Sequence, residues 1–234
     1  MNIGVVTSFY NGYDRFLPEW ALSICRQSIR PEQVVMVASG AMKDPGNLQT
    51  AMKLFERYQL RFTAYQLPNH KGMGNARNAA VRACGTEWVI YLDVDDILLP
   101  AGIEYVSRYE KDADVICTSL AVEGDRGRKQ FCYKDSTTEK QLRGEHCSSS
   151  HSAFKKDFWK KSPFIETNDY IEQPFWLGLA QAGARFVGTV EPISLYRSRK
   201  SGHNMSMTKE QRKEAREQYA RFVKEGVQSD KMLL

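Results

Sequence analysis

The run Trp88-Val89-Ile90-Tyr91-Leu92 passes directly into Asp93-Val94-Asp95-Asp96. Five consecutive apolar or aromatic residues with no polar alternation describe a strand buried on both faces. Such a strand needs helices on both sides, and that requirement points to an open, mostly parallel sheet. The first half of the chain has the matching rhythm. Strand-like segments at Ile3 to Phe9, Val34 to Ala38, Arg61 to Leu67 and Trp88 to Val94 alternate with helical patterns near Pro18 to Ser28, Asn47 to Tyr58 and Asn75 to Cys84. Alternation of this kind builds βαβ units, and right-handed crossovers bring the strand carboxyl ends to one edge. The predicted class is α/β, an open mostly parallel sheet flanked by helices.

The second half is less regular. A helix over Pro100 to Glu110 and a strand over Asp114 to Leu120 precede a polar, turn-rich stretch, Gly124 to Arg143, read as a hairpin or an excursion. An amphipathic piece (His151 to Lys161), a loop (Ser162 to Tyr170) and a helix (Pro174 to Ala182, stopped by Gly183) follow. A strand over Arg185 to Val190, a loop at Ser201 to Asn204 and a charged helix over Lys209 to Gly226 complete the pattern. There is no repeat and no Pro- or Gly-rich linker. One domain over 1–234 is expected, with halves at 1–120 and 121–206 and a C-terminal helix within 207–234.

No apolar run approaches a membrane span, and Met1-Asn2-Ile3-Gly4-Val5 reads as a strand, not a signal peptide. The five cysteines are odd in number and form no CxxC pair, which favours reduced thiols and a cytoplasmic setting. Cys25, Cys84 and Cys117 have apolar neighbours and are expected in the core. A net charge of +5 suits phosphate-bearing substrates, acidic lipid surfaces or nucleic acid and selects none of them. The basic clusters, such as Arg126-Gly127-Arg128-Lys129 and Arg197-Ser198-Arg199-Lys200, read first as solvated faces.

The chemistry gathers at the strand ends. Three carboxylates within four positions repel one another and lose hydration if covered. A hard divalent cation, Mg²⁺ or Mn²⁺, relieves both problems and can in turn hold a diphosphate. The competing reading is a turn followed by a helix start, since Asp favours both. Ligands bind at the carboxyl edge of an open α/β sheet. There Thr7-Ser8-Phe9, Ser39-Gly40 and Pro68-Asn69-His70 would meet Asp93 to Asp96, with Arg77 in the first turns of the helix after His70. Gly72-Met73-Gly74-Asn75-Ala76-Arg77 is not a dinucleotide fingerprint, because Arg77 stands where the third glycine belongs. Thr7 and Ser8 suit either nucleobase contacts or ordinary caps. Glu172 is either an acid favoured by a helix dipole or a general base, and Asp169 competes for that role. His146, Cys147 and His151 lack a fourth ligand for zinc. His203 lies in a polar loop, as an incidental residue or a late ligand. A nucleotidyltransferase also needs strand-end carboxylates, but Tyr10 to Arg15 lacks the phosphate-cradling repeat after strand one.

The order Val6-Thr7-Ser8-Phe9-Tyr10-Asn11, Gly74-Asn75-Ala76-Arg77-Asn78-Ala79-Ala80-Val81, Cys84 to Asp96, Pro174 to Gly183 and Tyr196-Arg197 resembles glycosyltransferase family 2 with the GT-A nucleotide-sugar fold. The resemblance covers residues 1–206. It implies a nucleotide-sugar-binding half over 1–120 and an acceptor half over 121–206. Asp93-Val94-Asp95 matches the Asp-x-Asp motif, so that Asp95 would ligate Mn²⁺ or Mg²⁺ on the donor diphosphate and Asp93 would contact the ribose or a metal-bound water. Arg77 matches the arginine that braces the motif. Thr7 and Phe9 would line the base, beside Ser8 as a donor contact, and Ser39 stands where the family carries an acid that reads uracil. His203 matches a late histidine that closes on the metal. Asp96 is left as a helix-start residue.

The resemblance also implies that Glu172, which falls where the family carries its catalytic Asp, would be the general base that deprotonates an acceptor hydroxyl for inverting attack on the anomeric carbon, with Asp169 as the alternative. The implied acceptor is a surface glycan or a lipid-linked glycan, with peripheral membrane contact through the cationic face. Hydroxymethylated bases in DNA are a second acceptor class, and an inactive nucleotide-sugar-binding protein is the non-enzymatic alternative.

Overall fold

The computed structural model describes residues 1–124, 127–166, 171–197 and 209–226. Strands β1 (Ile3–Phe9), β2 (Gln33–Ser39), β3 (Phe62–Leu67) and β4 (Trp88–Tyr91) alternate with helices α1 (Leu17–Cys25), α2 (Pro45–Arg57) and α3 (Met73–Ala83). These four strands pair in parallel in the order β3-β2-β1-β4. The second half adds β5 (Ile97–Leu98), α4 (Gly102–Ser107), β6 (Val115–Gly124), β7 (Gly127–Phe131), α5 (Thr138–Leu142), β8 (Ala153–Lys155), α6 (Lys156–Lys161), α7 (Glu172–Gln181), β9 (Phe186–Arg197) and α8 (Lys209–Glu225). One sheet runs β3-β2-β1-β4-β8-β6-β9-β5, with β7 paired to β6.

Every residue of β2 and of β4 is buried, as continuous apolar runs require. Alternate side chains of one strand enter different layers. Ile90 packs with Trp20, Ile24, Phe55 and Ile103 under α1, α2 and α4. Val89 and Tyr91 pack with Val81, Phe154, Phe175 and Trp176 under α3 and α7. Helix α1 buries Leu17, Trp20, Ala21 and Ile24, one stripe at helical spacing. Helix α7 buries every residue from Pro174 to Ala180, and it is therefore apolar all round. Gly183 ends that helix at φ 91°, a conformation that costs glycine little.

Several expectations change. The amphipathic piece at His151 to Lys161 divides into β8 and α6, and β8 inserts antiparallel between β4 and β6. The strand expected at Arg185 to Val190 instead runs on to Arg197, passing a register shift beside Ser119 and then pairing with β5. Helix α4 is shorter than Pro100 to Glu110. The stretch from Gly124 begins as the β6–β7 hairpin. These elements owe their form to non-local pairing, which local periodicity does not encode. Cys25, Cys84 and Cys117 are buried as expected, and Cys147 is too.

The packing that matters most for the site joins α3 to the segment before α7. The Asn78 side chain accepts from Phe164 N at 2.9 Å and from Trp159 Nε1 at 3.0 Å, and it donates to Phe164 O at 2.8 Å. One helical turn earlier, Gly74 lies so near the segment that an added Cβ would stand 1.8 Å from Ile165 O. Asn78→Ala leaves both Phe164 backbone groups unpaired. A loss of about 2–4 kcal/mol in urea unfolding is expected. Gly74→Ala must displace the segment and is expected to cost about 1–3 kcal/mol. Unchanged midpoints in both variants would refute this packing.

Candidate active site

A cavity of about 300 Å³ opens at the carboxyl edge of β1, β2 and β4. Its walls carry Ser8 and Phe9 from β1, Ser39 from β2, Arg77 from α3, Asp93, Asp95 and Asp96 after β4, and Glu172 from α7. Seven of the expected site residues (Ser8, Phe9, Ser39, Arg77, Asp93, Asp95 and Glu172) thus face one space. Thr7 differs. It is fully buried within β1, is not on the wall, and its hydroxyl has no hydrogen-bond partner. Thr7 lies further back within β1, whereas Ser8 and Phe9 stand at the strand end where the cavity opens. Asp169 and His203 lie outside the described residues.

Arg77 is the hub. It is 2 % exposed, and its Nη2 donates to Asp93 Oδ1 at 3.1 Å and to Glu172 Oε1 at 3.0 Å. Its guanidinium lies 4.3 Å from the centre of the Tyr91 ring. Burial alone would lower the Arg77 pKa, but Asp93 and Glu172 raise it further. Burial would raise the Asp93 carboxyl, yet Arg77 and His151 bring it down to about 2. Tyr91 reaches across to β1, its hydroxyl meeting Ser8 N at 2.9 Å and Ser8 Oγ at 2.6 Å. Burial pushes that phenol up to about 12. A neutral, buried Tyr91 therefore fixes the end of β1 beside the acidic cluster.

His151 and Asp96 take roles that the sequence reading did not assign. Asp96 is no helix-start residue. It is 1 % exposed, and its Oδ1 accepts from Arg197 N at 2.9 Å. Its Oδ2 faces His151 Nε2 at 3.0 Å, an ion-pair contact without the alignment of a directed hydrogen bond. The same Nε2 lies 3.7 Å from Asp93 Oδ2, and the His151 Nδ1 meets Ser194 Oγ at 2.7 Å. The grouping of His151 with His146 and Cys147 does not form. Cys147 donates to Gln141 Oε1 at 3.2 Å, and His146 is exposed against the Tyr133 ring. No spacing signal connects His151 to Asp93, because β8 brings them together by pairing with β4.

Asp93, Asp96 and His151 offer three ligand atoms within 4.8 Å of one another, a set that can hold a divalent ion. Asp95 adds a third carboxylate, on the same wall as Asp93 and Asp96. Its backbone carbonyl accepts from Arg197 Nε at 2.5 Å, which ties the turn to β9.

Burial would lower the His151 pKa, but Asp93 and Asp96 raise it to about 10. The folded state thus binds this proton more tightly than the unfolded state. Its share of stability is fully present below pH 6.5 and is lost as pH rises towards about 10. The melting temperature should fall across that window in the native chain, and His151→Phe should flatten the slope. Parallel profiles in the two proteins would refute the pairing.

The sequence profile of "Glycosyl transferase family 2" matches residues 4–161. An uncharacterized glycosyltransferase of Haemophilus influenzae is 29 % identical over 117 residues, which cover 50 % of this chain and 40 % of that protein. An uncharacterized glycosyltransferase of Methanocaldococcus jannaschii is 24 % identical over 225 residues, 90 % of this chain and 75 % of that protein. Among solved structures, S. aureus TarS 1-349 in complex with UDP-GlcNAc superposes with a TM-score of 0.73 at 20 % identity, covering 89 % of this chain and 62 % of that one. The mannosyltransferase PcManGT of Pyrobaculum calidifontis, in complex with GDP-Man and Mn²⁺, gives 0.65 at 16 % identity, covering 86 % and 58 %. The likeness to the solved structures is one of fold, the GT-A type sheet. With the family profile matching well over half its length, the chain belongs to glycosyltransferase family 2.

Proposed function

We propose that this chain transfers a sugar from a nucleoside-diphosphate sugar to an acceptor hydroxyl, with inversion and with a divalent metal ion. The observation that carries this reading is the single Arg77 nitrogen bonded to both Asp93 and Glu172 on one cavity wall. It links an acid of the donor motif to the one acid at the start of α7. The TarS and PcManGT complexes, with UDP-GlcNAc and with GDP-Man and Mn²⁺, support the donor class.

In this reading residues 1–120 hold the donor, and 121–206 supply the acceptor side and the base. Asp93 is held ionised by Arg77 and His151 and receives the ribose or a metal-bound water. Asp95 holds Mn²⁺ or Mg²⁺, with Asp93 and Asp96 beside it. The fit rests on hard carboxylate oxygens concentrated at the cavity wall. A bound ion supplies charge stabilisation to the departing diphosphate. Glu172 takes the proton of the acceptor hydroxyl as that oxygen attacks the anomeric carbon opposite the leaving group. Arg77 sets where the Glu172 carboxylate sits relative to the donor, which is the positional part of catalysis.

Three outcomes test the reading. Glu172→Gln should lower kcat by about 10²- to 10⁴-fold while donor binding is kept. Asp95→Ala should abolish the Mn²⁺-dependent rise in melting temperature that nucleotide sugars produce in the native chain. Chelation by EDTA should remove transfer, and added Mn²⁺ should restore it. Full turnover by Asp95→Ala or by the chelated protein would exclude the metal-dependent mechanism, and full turnover by Glu172→Gln would move the base elsewhere. A product that retains the donor's anomeric configuration would exclude inversion.

A further inference from the structure

The cavity has a second polar group, which the chemistry above does not use. At the end of β2 the buried Ser39 Oγ lies 2.8 Å from His70 Nδ1. His70 comes from the loop between β3 and α3, and both residues line the cavity. The junction is tied from two sides. Gly40 N donates to Leu67 O at 3.2 Å, and Gln66 Nε2 donates to Gly40 O at 2.8 Å. Gly40 turns the chain at φ 85°, a left-handed conformation that suits glycine. The His70 ring stacks on Tyr10 at 5.0 Å and 18°, and Tyr10 stacks on Tyr13 at 5.5 Å and 15°. The imidazole is therefore oriented by an aromatic face and by a serine hydroxyl.

We propose that the Ser39–His70 pair reads the base of the donor nucleotide and selects bases that carry a carbonyl, not an amino group, at C4 of a pyrimidine or C6 of a purine. This deepens the donor reading above and rests on it. The strand order β2-β1-β4 sets the ends of β2 and β4 two strand spacings apart, roughly 10 Å. That is the scale of the ribose between a base and its diphosphate. With Asp93 and Asp95 at the β4 end, the base falls at Ser39 and His70.

The protonation pattern follows from burial. The Ser39 hydroxyl is 3 % exposed, and a buried hydroxyl hydrogen needs an acceptor. The Nδ1 lone pair of the His70 imidazole is such an acceptor in the tautomer that carries its ring proton on Nε2. The exposed imidazole then offers an N–H donor. A carbonyl at C4 of uracil or thymine, or at C6 of guanine, accepts that hydrogen. The amino groups in the same places on cytosine and adenine are themselves donors and leave the N–H unpaired. An aspartate at this position would accept an N–H and demand a different edge of the base.

Equilibrium binding of UDP, dTDP, GDP, CDP and ADP in Mn²⁺ tests this, because the diphosphate is common and only the base and the ribose 2′ position vary. UDP, dTDP and GDP, which carry a carbonyl at C4 or C6, should bind roughly tenfold or more tightly than CDP and ADP. His70→Phe keeps a ring on Tyr10 but removes the nitrogens. It should bring the two groups to within about twofold while retaining the affinity that the diphosphate supplies. Melting temperature confirms that the variant is folded, and His70 is exposed, so the substitution leaves the core intact. CDP or ADP binding as tightly as UDP, or a preference undiminished in His70→Phe, overturns the inference and leaves the donor reading standing. Failure of every nucleoside diphosphate to bind the native chain overturns both.

Discussion

Everything at the cavity depends on one buried cation. A guanidinium at 2 % exposure is tolerable only with its charge answered, and Arg77 is answered by Asp93, Glu172 and the face of Tyr91. These partners come from the end of β4 and the start of α7, in opposite halves of the chain. Removing Asp93 would leave a buried positive charge poorly compensated, whereas Glu172 is two-fifths exposed and its loss is softened by solvent. The salt bridge is better understood as a device for register than for stability. It holds two acids from distant parts of the chain at a set separation, and the tight approach of α3 to Ile165 puts the arginine where it can do so.

The crowding of three carboxylates after β4 is resolved by sending each in a different direction. Asp93 turns to Arg77 and His151. Asp96 turns inward to His151 and the backbone of Arg197. Asp95 lies on the cavity wall, with its carbonyl held by the Arg197 side chain. The strand β9 is the common support, since Ser194 orients His151 and Arg197 caps the turn. The second half of the chain is therefore part of the construction of this site. It supplies the charges that let an acidic motif persist at the end of a buried strand.

The aromatic stack of Tyr13, Tyr10 and His70 plays a comparable part at the β2 end. There the site is built from a hydroxyl and an imidazole, whereas the β4 end carries a guanidinium among carboxylates. In the proposed donor orientation the uncharged base and the anionic diphosphate would lie along the same direction.

The amino-acid sequence by itself determined the parallel core. Apolar runs at β1, β2 and β4, the stripe on α1 and the fully apolar α7 are local patterns whose burial is forced whatever surrounds them. The placement of Arg77 near Asp93 followed from that topology alone, because parallel strands share one carboxyl edge. The short β5 and β8, the extension of β9, and the roles of Asp96 and His151 were decided only in three dimensions. Strands of two or three residues carry too little pattern to be read, and they exist because neighbouring strands need partners. Asp96 looks like a turn residue to any local rule. It becomes a buried ion-pair partner because β8 pairs with β4 and carries His151 to it, a contact between residues that have no spacing in common.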